Sequence, residues 1–275
     1  MNLTERDTHF EFGQNWRDYA KTIDGPRIES AVQGLNKLFP EGLSGKTFLD
    51  IGCGSGLHSL AALMLGASSV LATDLDENSV STTRAVLSQN FSDATRWTAK
   101  AISVFDMTPE TTGQFDVVYS WGVLHHTGDM WRAIERAGKL AKPSGQFALA
   151  IYAKTTFDPV WKIEKRIYSG SPKAGQWIIR QGYLAALFSA YALRGRNPLS
   201  LFTKARVRGM NFLHDVHDWL GGFPYETASA EELRDRICAL GFTEERSFPI
   251  APTMGVFSSG CHEFVFRRAV PTRAL

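Results

Sequence analysis

Between Phe48 and Phe147 the chain alternates short apolar runs with stretches in which apolar residues recur every three or four positions. The runs "KTFLDI", "SVLATD", "TRWTAKAISV", "QFDVVYSW" and "GQFALAIYA" predict five buried strands. The intervening "LHSLAALMLG", "DENSVSTTRAVLSQN" and "DMWRAIERAGKLA" predict helices. Gly66 suits the end of the first, acidic residues suit the positive start of the second, and "KPSG" ends the third. This rhythm predicts a parallel sheet with helices on both faces.

Two regions break the rhythm. "FGQNWRDYAKTIDGPRIESAVQGLNKLF" reads as one or two helices capping the sheet. After the fifth strand, "WIIRQGYLAALFSAYALRGR" is a nearly unbroken apolar helix followed by arginines. It is too short to span a bilayer, and burial within the protein is the expectation, with a dimer contact or an interfacial membrane helix as alternatives. "AEELRDRICALGF" is an amphipathic helix closed by Gly241, and "EERSFPI" and "GCHEFVFRR" predict two final strands. Four regions follow: an N-terminal helical cap at 1–45, a core at 46–153, a basic helical insertion and substrate lid at 154–228, and a helix with strands completing the core at 229–275.

Composition narrows the class. The 275 residues are 44% apolar with a net charge of +2, as expected of a soluble globular chain. Three widely spaced cysteines, Cys53, Cys238 and Cys261, argue against a disulfide framework and a cysteine-based zinc site. The polar start "MNLTERDTHFEFGQNW" lacks the apolar core of a signal peptide, so a cytoplasmic location is expected. Charge is uneven. Residues 154–210 hold eleven basic side chains against two acidic ones, so the rest of the chain is net acidic. That insertion reads as a solvated helical face, a surface for an anionic small molecule or lipid, or a nucleic-acid surface.

The stretch "FLDIGCGSGLHSLAAL" carries the candidate chemistry. A strand, a glycine turn and a helix start bring backbone close to a ligand and leave free N–H groups at the helix N-terminus. No Gly-Lys-Ser/Thr follows, which excludes a P-loop. Gly52, Gly54 and Gly56 give G-x-G-x-G rather than the dinucleotide G-x-G-x-x-G. Asp74, closing the second predicted strand, stands where a carboxylate grips ribose hydroxyls.

Asp50-Ile51-Gly52-Cys53-Gly54-Ser55-Gly56, "ATDLD", "FDVVYSWGVLHHTGDMWRAI" and "LAKPSGQFALAIY" together resemble the class I S-adenosylmethionine-dependent methyltransferases, whose first motif is acid-x-G-x-G-x-G. The resemblance covers about residues 46–152. It implies a seven-stranded, mostly parallel Rossmann-like α/β fold with an antiparallel last strand, S-adenosylmethionine as cofactor and S-adenosylhomocysteine as product. By position it sets Asp50, Gly52, Cys53, Gly54 and Gly56 near the methionine part and Asp74 on the ribose. Leu75 would border the adenine with Ser103 and Val104 at its far side, and Ser120 and Trp121 would lie beside the cofactor. Ser103 stands where the family often has Asp, so backbone alone is expected to hold the adenine amino group.

Methyl transfer mainly requires positioning of an acceptor, with a base where a proton must leave. His125 and His126 follow the fourth predicted strand, at the sheet edge where open α/β folds bind ligands, and are the candidate bases. In "FLHDVHDWLGGFPYE", Asp218, Trp219 and Tyr225 are candidates for a substrate-pocket wall. His214, His217 and Asp218 have spacing compatible with a metal, but none is expected. Phe10, Phe12, Trp16 and Tyr19 either pack or form a lid, and Tyr19 is the substrate candidate among them. The expected function is methyl transfer to a small-molecule acceptor, hydrophobic or anionic. A nucleic-acid partner is not expected, and membrane-surface contact is open but not favoured. Two other classes are an S-adenosylmethionine-binding protein that does not methylate and a nicotinamide oxidoreductase. The missing sixth-position glycine weighs against the latter.

Overall fold

A computed structural model describes residues 9–10, 12–203 and 212–270. Two helices come first, α1 (Phe12–Ala20) and α2 (Gly25–Leu38). Then follow β1 (Thr47–Ile51), α3 (Leu57–Met64), β2 (Ser69–Asp74), α4 (Glu77–Asn90) and β3 (Trp97–Ala101). A four-residue α5 (Pro109–Thr112), β4 (Phe115–Trp121), α6 (Met130–Lys139) and β5 (Ala141–Tyr152) complete the alternating part. The insertion holds α7 (Asp158–Gly170), α8 (Lys173–Leu193), a short α9 (Ser200–Thr203) and α10 (Phe212–Gly221). Finally α11 (Ala230–Ala239), β6 (Phe242–Phe248) and β7 (Cys261–Arg268) return the chain to the sheet.

The seven strands lie in the order β3-β2-β1-β4-β5-β7-β6, with β7 antiparallel to both its neighbours and the rest parallel. The order reverses between β1 and β4, which opens a crevice at their carboxyl ends. Two apolar layers hold the sheet. Leu49, Val118, Phe147, Leu149 and Phe264 pack with α6 and α11 on one face. Phe48, Val70, Val117, Tyr119 and Val265 pack with α2 and α3 on the other. A third cluster, outside the sheet, gathers Trp161, Tyr168, Leu184, Val216, Trp219 and Tyr225 from the insertion with Phe10.

Two expectations change. "KPSG" does not separate helix from strand: α6 stops by itself at Leu140, and β5 runs from Ala141 through an irregular start. There Ser144 is left-handed at φ +62°, and a Cβ on Gly145 would lie 2.9 Å from the Lys142 carbonyl oxygen. The long apolar helix also departs from expectation, because α8 buries only one side, through Leu184 and Leu187, and leaves Trp177 and Ile178 more than half exposed. Lys204, Arg206 and Arg208 lie outside the described residues. No helix among the described residues is long and apolar enough to cross a membrane.

Candidate active site

The turn after β1 is built from glycines because its backbone is left-handed at Gly52, Gly54 and Gly56, with φ of +78°, +54° and +78°. Close packing repeats the demand. A Cβ would strike Val123 at Gly52, the Trp16 ring at 2.9 Å at Gly54, and Thr83 at 2.9 Å at Gly56. The N–H groups of Gly52 and Cys53 both donate to the Thr73 carbonyl, at 2.7 and 2.9 Å, which locks the turn to β2. Below it, buried Asp50 accepts a 2.6 Å bond from the Ser59 hydroxyl and ties the turn to α3.

Asp74 ends β2 beside that turn. Its Oδ2 accepts from the Gly54 N–H at 3.1 Å and its Oδ1 from the Asp76 N–H at 2.9 Å. Burial raises its pKa to about 6. A carboxylate offers about four acceptor positions, so these backbone bonds leave it room for a further donor. A backbone cradle with such a carboxylate at its rim fits a cofactor bearing a ribose diol.

Helix α1 lies across this cradle. Trp16 sits on Gly54, Gly13 leaves no room beside the Asp76 carboxyl, and Arg17 donates to Asn78 at the start of α4. The same helix faces the insertion, where Asn15 donates to Asp218 at 2.6 Å.

On the other side of the crevice, a run of rings leads away from the loop after β4. His125 lies 4.0 Å from Tyr152 between ring centroids, Tyr152 lies 5.2 Å from Trp219, and Trp219 lies 5.1 Å from Trp161. Tyr225 flanks Tyr152 at 5.7 Å. His125 is wholly buried, and neither ring nitrogen has a hydrogen-bond partner among the described residues. Desolvation pushes its pKa well below the usual value. His126 is held differently: its Nδ1 is 2.7 Å from the Pro224 carbonyl oxygen, and burial lowers its pKa to about 3.

At the far end of the rings sits Lys165, fully buried. Its Nζ is 3.7 Å from the Trp219 ring centroid and 5.0 Å from that of Tyr225, and it donates to the Trp219 carbonyl. Burial drives its pKa down, although neighbouring Glu164 opposes the shift. The Glu164 carboxyl oxygens are buried without a hydrogen-bond partner among the described residues. Asp218, pushed up to about 8 by burial, completes the polar set.

Residues 49–147 match the family described as "Methyltransferase domain", and that span contains the glycine turn, Asp74 and the β4 loop. Residues 49–147 of this chain are a methyltransferase domain, and the sheet has the fold of the class I S-adenosylmethionine-dependent methyltransferases. Among curated proteins, this chain is 36% identical over 109 residues to "Ubiquinone biosynthesis O-methyltransferase" of Pseudomonas paraeruginosa, covering 40% of this chain and 45% of that protein. The protein of the same name from Xanthomonas oryzae pv. oryzae is 34% identical over 161 residues, 56% of this chain and 63% of its own length. The match therefore spans about half the length of these relatives. Among solved structures, magnesium protoporphyrin IX methyltransferase from Synechocystis PCC 6803 with bound S-adenosylhomocysteine superposes with a TM-score of 0.57 at 16% identity, covering 96% of this chain and 97% of that one. An S-adenosylmethionine-dependent methyltransferase from Mesorhizobium loti gives 0.53 at 18% identity, covering 86% and 98%. At these identities the superpositions concern the fold.

Within the methyltransferase domain, Asp50, Gly52, Cys53, Gly54, Gly56, Asp74 and Leu75 gather at the β1 and β2 carboxyl ends. Other expected cofactor contacts sit less freely. Ser120 is buried and its hydroxyl donates to the Ile51 carbonyl at 3.1 Å, so it joins β4 to β1. Ser103 caps a turn by accepting from the Phe105 N–H at 3.3 Å, and Val104 is buried with Leu49, Ile51 and Val118. Trp121 packs against the layer around Phe48 and Tyr119. Tyr19 also belongs to that layer, 1% exposed, which sets its ring among core side chains. Asp218, Trp219 and Tyr225 do come together, whereas His214 and His217 do not join them as a metal set: the His217 Nδ1 is 2.6 Å from the Tyr168 hydroxyl. Lys165, Tyr152, Trp161 and Asn15 were not anticipated. The signal for Lys165 was available, because Trp161, Lys165 and Tyr168 share one face of a helix and put an ammonium on its apolar side.

Proposed function

We propose that this chain transfers the methyl group of S-adenosylmethionine to a small-molecule acceptor with a planar apolar body and an anionic group. The observation that carries the acceptor class is Lys165: a fully buried ammonium ringed by Trp219, Tyr225, Tyr152 and Trp161, whose one hydrogen bond among the described residues goes to a backbone carbonyl. Buried charges are expensive unless paired; Glu164 and Asp218 act on Lys165 without hydrogen-bonding it among the described residues, and an anionic acceptor supplies a direct partner. The aromatic walls suit a flat body. The curated relatives named for ubiquinone biosynthesis support an acceptor of this apolar kind.

When bound, the cofactor supplies an electrophilic methyl on a sulfonium that is a good leaving group. The chain's own residues do the rest. Asp74 would accept from the ribose hydroxyls, and the backbone of Gly52 to Gly56 would hold the remainder of the cofactor. Helix α1, with Trp16 on Gly54, excludes water. Lys165 orients the acceptor, and orientation of this kind contributes roughly 7–11 kcal/mol to a transfer. His125, neutral because burial disfavours the imidazolium, takes the acceptor's proton on a ring nitrogen that holds no other bond among the described residues.

Calorimetric titration of the purified chain with S-adenosylmethionine, S-adenosylhomocysteine and NAD tests the cofactor. Micromolar binding of the first two without NAD is the expected outcome, followed by transfer of labelled methyl to planar phenols or aromatic acids. NAD binding, or labelling confined to uncharged acceptors, would overturn the assignment of cofactor or of Lys165.

A further inference from the structure

Helix α8 has an outward face without a single charge. Its exposed positions from Trp177 onward are Trp177, Ile178, Gln181, Gly182, Ala185, Ala186, Ser189, Ala192 and Leu193. They repeat with helical period over the last 17 of the 21 residues of α8, about 25 Å of helix. Ile178 is 64% exposed and Leu193 88%. A helix on the surface of a soluble protein ordinarily turns charged residues outward, so an uncharged face of this length marks a contact surface.

The neighbouring helix repeats the feature. α7 packs on α8, and Gln176 reaches back to the Tyr168 carbonyl at 3.2 Å across the turn between them. On the side of α7 away from Trp161 and Tyr168, Val160, Ile163 and Ile167 are each more than half exposed. Basic side chains border both apolar strips. Lys162 and Arg166 stand exposed on α7, Lys173 opens α8, and Arg194 and Arg196 follow its end. Those two arginines line a groove of about 390 Å³ together with Tyr191, Met254 and Val256, and the last two are themselves exposed apolar residues. Apolar side chains beside cationic ones, with a tryptophan on the strip, match the interfacial region of a bilayer carrying negative headgroups.

We infer that the outer face of α7 and α8 docks the protein on an anionic membrane surface, with the helices lying in the plane of the interface. A second copy of the chain fits less well. A symmetric contact through this face would bring its own basic residues together, and residues 154–210 carry eleven of them against two acids. A bilayer with anionic lipid offers the opposite charge along the whole strip.

The test is flotation of the full chain with vesicles of phosphatidylcholine, with and without phosphatidylglycerol. Expected are binding to the anionic vesicles alone, weakening as salt rises, and at least about a tenfold loss of binding in Ile163→Glu/Ile178→Glu. Both positions are exposed, so the variant should melt with the wild type. Overturning results are no vesicle binding by the wild type, undiminished binding by the variant, or a wild-type dimer in ultracentrifugation that the same substitutions dissociate. Vesicle binding needs neither cofactor nor acceptor, so it stands or falls separately from methyl transfer.

Discussion

Asn15 Nδ2 lies 2.6 Å from Asp218 Oδ1 and joins α1 to α10 across 203 residues of sequence. The next residue of α1, Trp16, rests on Gly54 of the glycine turn. One helix thus touches the proposed cofactor cradle and the proposed acceptor pocket through adjacent side chains.

This pair has a pH signature. Burial raises the Asp218 pKa to about 8 in the folded chain, against about 3.9 when unfolded. Between those values the folded state retains a proton that the unfolded state has lost, so stability from this group falls as pH rises from about 4 to 8. The slope reaches at most about 1.4 kcal/mol per pH unit. Asp218→Asn removes that loss. Urea unfolding should show the variant gaining on the wild type as pH goes from 5 to 8, and a constant difference between them would refute the protonated state.

Asp74 is expected to govern cofactor affinity. Loss of charge-assisted bonds of roughly 1.5–3 kcal/mol each predicts at least about a tenfold weaker binding in Asp74→Ala. With a pKa of about 6, the wild-type carboxylate takes up a proton as pH falls through that value. Affinity should therefore decline below pH 6 in the wild type and stay level in the variant, by calorimetry at stepped pH.

For His125→Ala the expectation is intact cofactor binding with turnover slowed by roughly 10²–10⁴. Because desolvation holds its pKa well below 6.5, the acid limb of kcat should lie below pH 6.5 as well. Full activity in the variant on the true acceptor would assign the rate to positioning alone.

Lys165→Met separates stability from function. It replaces a buried ammonium by an apolar side chain of similar length, so the melting temperature should hold or rise. With its pKa lowered to about 7, Lys165 keeps its charge below that pH and gives up its proton above it, so stability rises from about pH 7 to the unfolded pKa of about 10.4, and the variant should lose that dependence. kcat/KM for an anionic acceptor should fall by about tenfold or more, mainly through KM. A parallel loss for a neutral analogue would mean that Lys165 does not meet the anion.

Much of the sheet was written in local pattern. Runs such as "SVLATD" fit buried strands, and Gly54 or Gly56 can be recognised because a left-handed turn against a helix start tolerates little else. The roles of Ser120 and Tyr19 were not local. Ser120 faces the Ile51 carbonyl only because β4 lies next to β1, a pairing between segments 69 residues apart. Likewise, nothing within α8 reveals which of its sides the rest of the chain covers.

The sequence by itself determined the alternation of strands and helices, the glycine turn and the acidic residue that ends β2, since these follow from backbone freedom and periodicity over a few residues. Tertiary structure decided the rest. Lys165 becomes a buried cation only when α7, α10 and the end of β5 close rings around it. His125 becomes a neutral imidazole only through desolvation by that packing, and Asp218 meets Asn15 only after the whole sheet intervenes. Burial and charge at these positions depend on contacts distant in sequence, so no short stretch of residues encodes them.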